Sequence, residues 1–291
     1  MCWIGSAVSG RSRSLLAREL TIMPLPWSLI TVTFNSATDL ERYWSAEIPD
    51  TVQWIVVDNG STDNSVTVAE RLGATVLKVG RNIGFSAANN RGLTLATSRH
   101  IAFVNPDVRV DFSDLPALAD TIDRRGGLVS PQLIYDGGGD QPNGRGAPLL
   151  LSKVLNRLSR RPSRRNPYLV FAAHGEERSI FWAMGAVVAG AAETFAALGG
   201  WDERFFIYYE DKDIAIRCWR SGRPVVLAGQ FRWTHGWARE TAHFRLSPWV
   251  HEIASLTRFY TLYPEFVFGG GAVARRHPEA ARSSGHVQPH E

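Results

Sequence analysis

The chain has 291 residues, is 44% hydrophobic and carries a formal net charge of +4. That length suits one large α/β domain with additions, or two small domains. Its apolar residues fall in short runs, none near the roughly 18 to 20 consecutive residues of a membrane span, and so modest a charge makes no demand for a nucleic-acid partner.

Residues 1–23 are expected to be a disordered extension. Arg11, Arg13 and Arg18 are present there, but no continuous apolar core or small-residue cleavage site of a signal peptide follows. The two cysteines, Cys2 and Cys218, make neither a disulfide framework nor a CxxC pair, which suits a reducing cytoplasm. From residue 24 to 134 short apolar runs alternate with helical stretches. Strands are expected at 28–34, 53–58, 75–79, 101–105 and 128–132, with helices near 38–46, 64–72, 86–96 and 113–125. The strand runs lack polar alternation, as expected where helices cover both faces of a parallel sheet.

The pattern stops at Tyr135. A glycine- and proline-rich loop leads into a basic segment, so that 135–178 stands apart. There Leu151, Val154, Leu155 and Leu158 recur at helical spacing among Lys153, Arg157, Arg160, Arg161, Arg164 and Arg165. Such a stripe suits either a helix on an anionic membrane surface or one packed on the domain with a solvated basic edge. Order resumes over 179–268: a strand-like run at 179–188, helices near 192–198 and 210–220, strand segments at 225–227 and 231–235, and a last helix near 248–263. Residues 269–291, opening on three glycines, read as a flexible tail.

Four polar segments end strands or open helices: Thr33-Phe34-Asn35, Asp58-Asn59-Gly60-Ser61-Thr62-Asp63, Asn105-Pro106-Asp107 and Glu210-Asp211-Lys212-Asp213. In open α/β sheets the carboxyl ends of neighbouring strands line the ligand crevice. Asp58 is placed to accept hydrogen bonds from a base or ribose; Asp63 could equally cap the next helix. Gly84 permits a close approach that a Cβ would forbid, and Asn90 reaches either a ligand or its own helix. Asp107 is placed for a hard cation such as Mg²⁺ or Mn²⁺, with a turn cap as the plainer role. Glu210 and Asp211 offer a general base beside an aromatic run, or simply favour a helix start, while Asp213 is spaced for an ion pair with Arg217. His235 is a second metal ligand or an ordinary buried histidine.

In their order, Val32-Thr33-Phe34-Asn35, the Asp58–Asp63 segment, Asn82-Ile83-Gly84-Phe85, Asn105-Pro106-Asp107-Val108, Gly199-Gly200-Trp201-Asp202-Glu203-Arg204-Phe205-Phe206 and Glu210–Asp213 resemble the inverting family 2 glycosyltransferases. The rhamnosyltransferase-like enzymes of cell-surface polysaccharide assembly look closest. The resemblance implies a GT-A fold: a Rossmann-like, mostly parallel central sheet flanked by helices, with a C-terminal acceptor-side region. Residues 24–134 would bind a nucleotide-sugar and 179–268 the acceptor. It further implies that Thr33 and Asp58 hold the nucleoside, that Asn82 and Gly84 line the same pocket with Asn35, Asn90 and Asn105, and that Asp107 and His235 hold Mg²⁺ or Mn²⁺ on the diphosphate. Asp211 would be the base, with Trp182, Gly185, Trp201 and Glu210 shaping the sugar and acceptor pocket.

The donor implied is a nucleotide-diphosphate sugar such as dTDP-L-rhamnose. The acceptor is a lipid-linked or polysaccharide chain at the inner membrane face, with peripheral contact through 149–165, and a homodimer is left open. Relatives commonly carry arginines where this chain has Ala189-Gly190-Ala191-Ala192, so the basic contact is either missing here or comes from elsewhere, with Arg178 and Arg204 as candidates. Two other classes compete: a sugar-phosphate nucleotidyltransferase, which would open with a glycine-rich basic loop absent here, and a non-catalytic sugar- or nucleotide-binding protein.

Overall fold

The computed structural model describes residues 26–151, 168–237 and 246–283. The expected extension over 1–23, most of the basic segment 149–165 and the last eight residues of the expected tail lie outside that range.

The first half is built from β1 (Trp27–Thr33), α1 (Ala37–Tyr43), β2 (Val52–Asp58), α2 (Ser65–Arg71), β3 (Thr75–Lys78), α3 (Phe85–Leu93), β4 (His100–Val104), β5 (Val108–Arg109), α4 (Leu115–Arg125) and β6 (Leu128–Tyr135). The second half contributes β7 (Gly144–Arg145), β8 (Leu169–Val170), β9 (Glu177–Ser179), β10 (Trp182–Ala183), β11 (Val187–Ala191), α5 (Ala192–Leu198), α6 (Glu210–Arg220), β12 (Val225–His235), α7 (Leu246–Leu262), α8 (Glu265–Phe268), α9 (Gly270–Arg276) and α10 (Pro278–Ser283).

One large sheet runs β3-β2-β1-β4-β11-β6-β12-β5, with β9 also paired to β12. Strands β1, β2, β3, β4, β6 and β12 share one direction; β11, β5 and β9 oppose it. β1 and β4 are buried along their whole length because helices cover both faces. Alternate residues feed two separate cores. Ile30, Val32, Ile55, Val57, Ile101 and Phe103 face one, and Leu29, Trp54, Val56, Ala102 and Val104 face the other. The chain moves outward from β1 through β2 to β3, then returns to add β4 on the other side of β1. That reversal opens a crevice at the carboxyl ends of β1 and β4.

The run expected as one strand over 179–188 is three. β9 joins the large sheet, β10 joins a small sheet with β7 and β8, and β11 returns to the large sheet between β4 and β6. Its apolar residues are buried by three different partners, so periodicity alone could not divide it. The two segments at 225–227 and 231–235 are instead one strand with an irregularity after Ala228. The tail is also corrected: 270–276 and 278–283 are helical, with Val273, His277, Ala280 and Ala281 buried. These residues recur at i, i+4, i+7 and i+8, and His277 Nε2 meets Glu265 at 2.7 Å, which holds this end on the domain.

Candidate active site

β1 and β2 pair so that Thr33 lies beside Asp58 at their carboxyl ends. Asp58 is buried, accepts the Ser61 backbone N–H at 3.2 Å and sits 3.5 Å from Thr33 Oγ1. Neighbouring amides organise this rim. Asn35, at φ 58°, uses Oδ1 to accept N–H groups of Thr62 and Asp63. Asn59 donates to Asn82 Oδ1 at 3.0 Å and accepts Ile83 N–H at 2.9 Å, while the same Asn82 oxygen accepts Gly84 N–H. Gly84 takes φ 90°, and a Cβ there would come 2.7 Å from the Phe206 carbonyl, whose oxygen accepts Phe85 N–H. The close approach seen here is to the loop before α6. Asn90 is likewise a crosslink: Oδ1 accepts Trp201 N–H and Nδ2 donates to Trp201 O and Glu203.

Asp107 and His235 come together although they lie on different elements. β12 pairs His235 with Val108 of β5, and Gly236 N–H donates to Asp107 O at 2.8 Å. Asp107 Oδ2 then stands 3.3 Å from His235 Nε2. Gln141, fully buried, sets the ring's tautomer. Its Nε2 donates to His235 O at 2.7 Å and toward Ile134 O at 3.4 Å, so its Oε1, 2.8 Å from His235 Nδ1, accepts that ring N–H. The Nε2 lone pair is thereby turned on the Asp107 carboxylate, an arrangement that calls for a cation or a proton between the two. Among the described residues no group of three or more histidine, cysteine or acidic side chains is placed to hold an ion. Two ligands completed by phosphate oxygens and water fit Mg²⁺ or Mn²⁺ bound with a substrate diphosphate.

The third wall is the start of α6. Tyr208 and Tyr209 both take left-handed conformations, at φ 68° and 71°, a strain that non-glycine residues rarely carry outside functional sites. The turn delivers Glu210 and Asp211 against Gly185, where a Cβ would lie 3.6 Å from Asp211 Cβ and 3.9 Å from Glu210 Oε1. Ala186, next in sequence, accepts Asn105 N–H at 2.9 Å, so the acidic helix start adjoins the Asn105-Pro106-Asp107 turn. Asp211 Oδ1 pairs with Lys212 Nζ at 3.1 Å, and that ammonium lies 3.9 Å from the Trp182 ring centroid. Burial, then the neighbouring Asp211 charge, pushes the Glu210 carboxyl up to about 8, so its protonated form is favoured near pH 7. Asp213 is structural: it binds Arg217 at 2.8 Å and accepts the Tyr263 hydroxyl at 2.6 Å.

Residues 28–183, more than half of the chain, match the family model "Glycosyl transferase family 2". The chain belongs to that family. It is a glycosyltransferase with a GT-A fold, which sets aside the nucleotidyltransferase reading. Among curated relatives, it is 29% identical to N-acetylglucosaminyl-diphospho-decaprenol L-rhamnosyltransferase of Mycobacterium tuberculosis, over 67% of this chain and 70% of that one. Of solved structures, the mannosyltransferase PcManGT of Pyrobaculum calidifontis, in complex with GDP-Man and Mn²⁺, has a TM-score of 0.58 at 17% identity, covering 89% of this chain and 70% of that one. GalNAc-T7 with UDP, GalNAc and Mn²⁺ has a TM-score of 0.56 at 17% identity; 75% of this chain corresponds to 44% of that one.

The family match ends before Asp211 and His235, so those two rest on the geometry above. Trp201 is a core residue of this family 2 enzyme rather than a pocket wall: it is 2% exposed and its ring packs edge-on to Phe103 at 5.1 Å. Neither arginine expected to replace the missing basic contact is placed for it. Arg204 is bound to Asp202, and Arg178 donates to Phe171 O. Sequence reasoning missed Gln141, Asn59 and Lys212. Gln141 sits in a glycine- and proline-rich stretch with no periodic signal, and only its contact 94 residues away reveals its role.

Proposed function

We propose that this glycosyltransferase moves a sugar, with inversion, from a nucleoside-diphosphate donor to a lipid-linked acceptor in cell-surface glycan synthesis. The observation that carries the reading is the convergence of three pieces. Asp58 lies beside Thr33 at the carboxyl ends of β1 and β2, Asp107 and His235 face each other across 3.3 Å, and Asp211 adjoins the Asn105–Asp107 turn through Gly185 and Ala186. The acceptor class is supported by the mycobacterial relative, whose name describes a diphospho-decaprenol acceptor. The L-rhamnosyl group in that relative's name supports a rhamnose donor, for which we propose dTDP-L-rhamnose.

Asp211 takes the acceptor hydroxyl proton as that oxygen attacks the anomeric carbon from the face opposite the diphosphate, so a single displacement inverts the centre. Lys212 orients the carboxylate, and the neutral Glu210 adds no second negative charge beside it. Asp107 and His235 would hold Mg²⁺ or Mn²⁺, which when bound stabilises the charge left on the diphosphate. No helix among the described residues is long and apolar enough to cross a membrane; peripheral contact through 149–165 is part of the proposal.

Calorimetric titration with dTDP, UDP and GDP, each with and without Mn²⁺, tests the donor site. Asp211→Asn should abolish turnover while leaving metal-dependent nucleotide binding intact. Turnover retained in Asp211→Asn would remove Asp211 as the base, and no nucleotide binding by folded wild-type protein would overturn the reading.

A further inference from the structure

Arg145 lies on β7 and is 9% exposed, yet among the described residues no carboxylate bonds to it. Nη1 donates to the carbonyl of its own neighbour, Gly144, at 3.0 Å, and Nη2 to Met184 Sδ at 3.3 Å. A guanidinium has five N–H donors and a thioether is a weak acceptor, so most of its donor capacity meets no oxygen. Its guanidinium carbon is 5.8 Å from the Trp182 ring centroid, the same ring that Lys212 Nζ approaches at 3.9 Å. Among the described residues the Trp182 indole N–H is itself buried without a hydrogen-bond partner.

Charge makes the same point. Burial lowers the pKa of Arg145, and the nearby charge of Asp211 opposes that shift. Lys212 already pairs with Asp211, and the protonated form of Glu210 is favoured near pH 7. Among the described residues the cluster thus holds two cations and one anion, which leaves the positive charge of the buried Arg145 over. An uncompensated buried charge is costly, and a well-packed apolar side chain would be the more stable occupant. A guanidinium matched to two oxygens of a phosphate would relieve that cost, and it only has to turn from a sulfur to do so.

We infer that Arg145, with the Trp182 indole N–H and the Lys212 ammonium, forms a phosphate-binding subsite beside Asp211, separate from the Asp107–His235 pair. The inference rests on the glycosyl-transfer reading only for the source of the phosphate. The nucleoside-diphosphate donor and a diphosphate-linked lipid acceptor share this chemistry.

The test uses the full chain and compares wild type, Arg145→Gln and Arg145→Lys by calorimetry and thermal unfolding. Three probes separate the sources: inorganic pyrophosphate without metal, dTDP or UDP with Mn²⁺, and farnesyl diphosphate without metal. Arg145→Gln should weaken pyrophosphate binding by at least about tenfold, the scale of one lost charge-assisted hydrogen bond. The melting temperature of the unliganded variant should be no lower than that of wild type. Loss of farnesyl diphosphate with nucleotide binding retained assigns the subsite to the acceptor, and the reverse assigns it to the donor. Arg145→Lys should keep part of the affinity, because it retains charge and loses the fork; it also serves if Arg145→Gln does not fold.

Wild-type and Arg145→Gln proteins binding all three probes alike, or wild type binding no pyrophosphate, would overturn the inference. An unaltered affinity with a lowered melting temperature would make Arg145 a packing residue only. Asp107→Asn keeps the two readings apart. It should remove metal-dependent nucleotide binding and leave metal-free pyrophosphate binding in place.

Discussion

Glu210→Gln should remove a large part of the pH dependence of stability between about pH 5 and pH 9. The Glu210 carboxyl is buried, and desolvation first and the adjacent Asp211 second raise its pKa from 4.5 to about 8. Between those values the folded chain keeps a proton that the unfolded chain has released. Raising the pH therefore favours unfolding: the contribution is fully present below about pH 4.5 and is lost as the pH climbs through about 8. A separation of about 3.5 pH units at about 1.4 kcal/mol per unit sets that loss on the order of 5 kcal/mol.

Glutamine keeps the shape and cannot ionise, so it escapes this loss. Its amide NH₂ brings one donor more than the protonated carboxyl to a site where, among the described residues, Oε2 has no hydrogen-bond partner, a cost of about 1–3 kcal/mol at every pH. The variant is thus expected to be the less stable protein at pH 5 and the more stable one at pH 9. Urea unfolding of both proteins at pH 5, 7 and 9, followed by tryptophan fluorescence, gives the difference directly. A difference that stays constant across that range would show that Glu210 titrates alike in the folded and unfolded chains, and the argument for a neutral Glu210 beside Asp211 would fall.

Two further outcomes are expected. Gln141→Leu leaves the His235 Nδ1–H without its acceptor and frees the ring, so Mn²⁺ affinity measured by electron paramagnetic resonance titration should drop by about 10- to 100-fold, and Gln141→Glu, which keeps an acceptor, should lose less; equal affinity in the leucine variant and wild type would show that Gln141 does not orient a metal ligand. Asn90→Ala cuts the bonds between α3 and the Trp201 backbone, and chemical denaturation should register a loss of about 1–3 kcal/mol, an unchanged midpoint being the contrary result.

How far the site was legible depends on whether a residue acts through its strand position or through a distant partner. The positions of Asp58 and Asp107 were legible because a strand end announces itself locally: an apolar run, then a carboxylate beside turn formers, which follow Asp58 and precede Asp107. The start of α6 was legible for the same reason, since three acidic residues open a helix that ends at Gly222 and Pro224. Asn35, Asn82 and Asn90 were expected as ligand contacts; their side-chain oxygens accept the backbone N–H groups of Thr62, Gly84 and Trp201. Asn90 finds Trp201 at a separation of 111 residues, and nothing near Asn90 signals that partner. Gln141 and Arg145 lay in a stretch read simply as a loop, because β7 is only two residues long and carries no period.

The sequence by itself determined the layered α/β plan and the strand ends that bear carboxylates. Burial on both faces writes continuous apolar runs, and turn residues punctuate them. Only the tertiary structure decided which polar groups remain for a ligand. It folds β12 back beside β5 so that His235 faces Asp107, ties Gly84 to Phe206, and leaves Arg145 buried with no carboxylate bonded to it among the described residues. The physical reason is that a hydrogen bond or ion pair is settled by whichever partner arrives within about 3 Å, and chain packing, not chain order, brings that partner there.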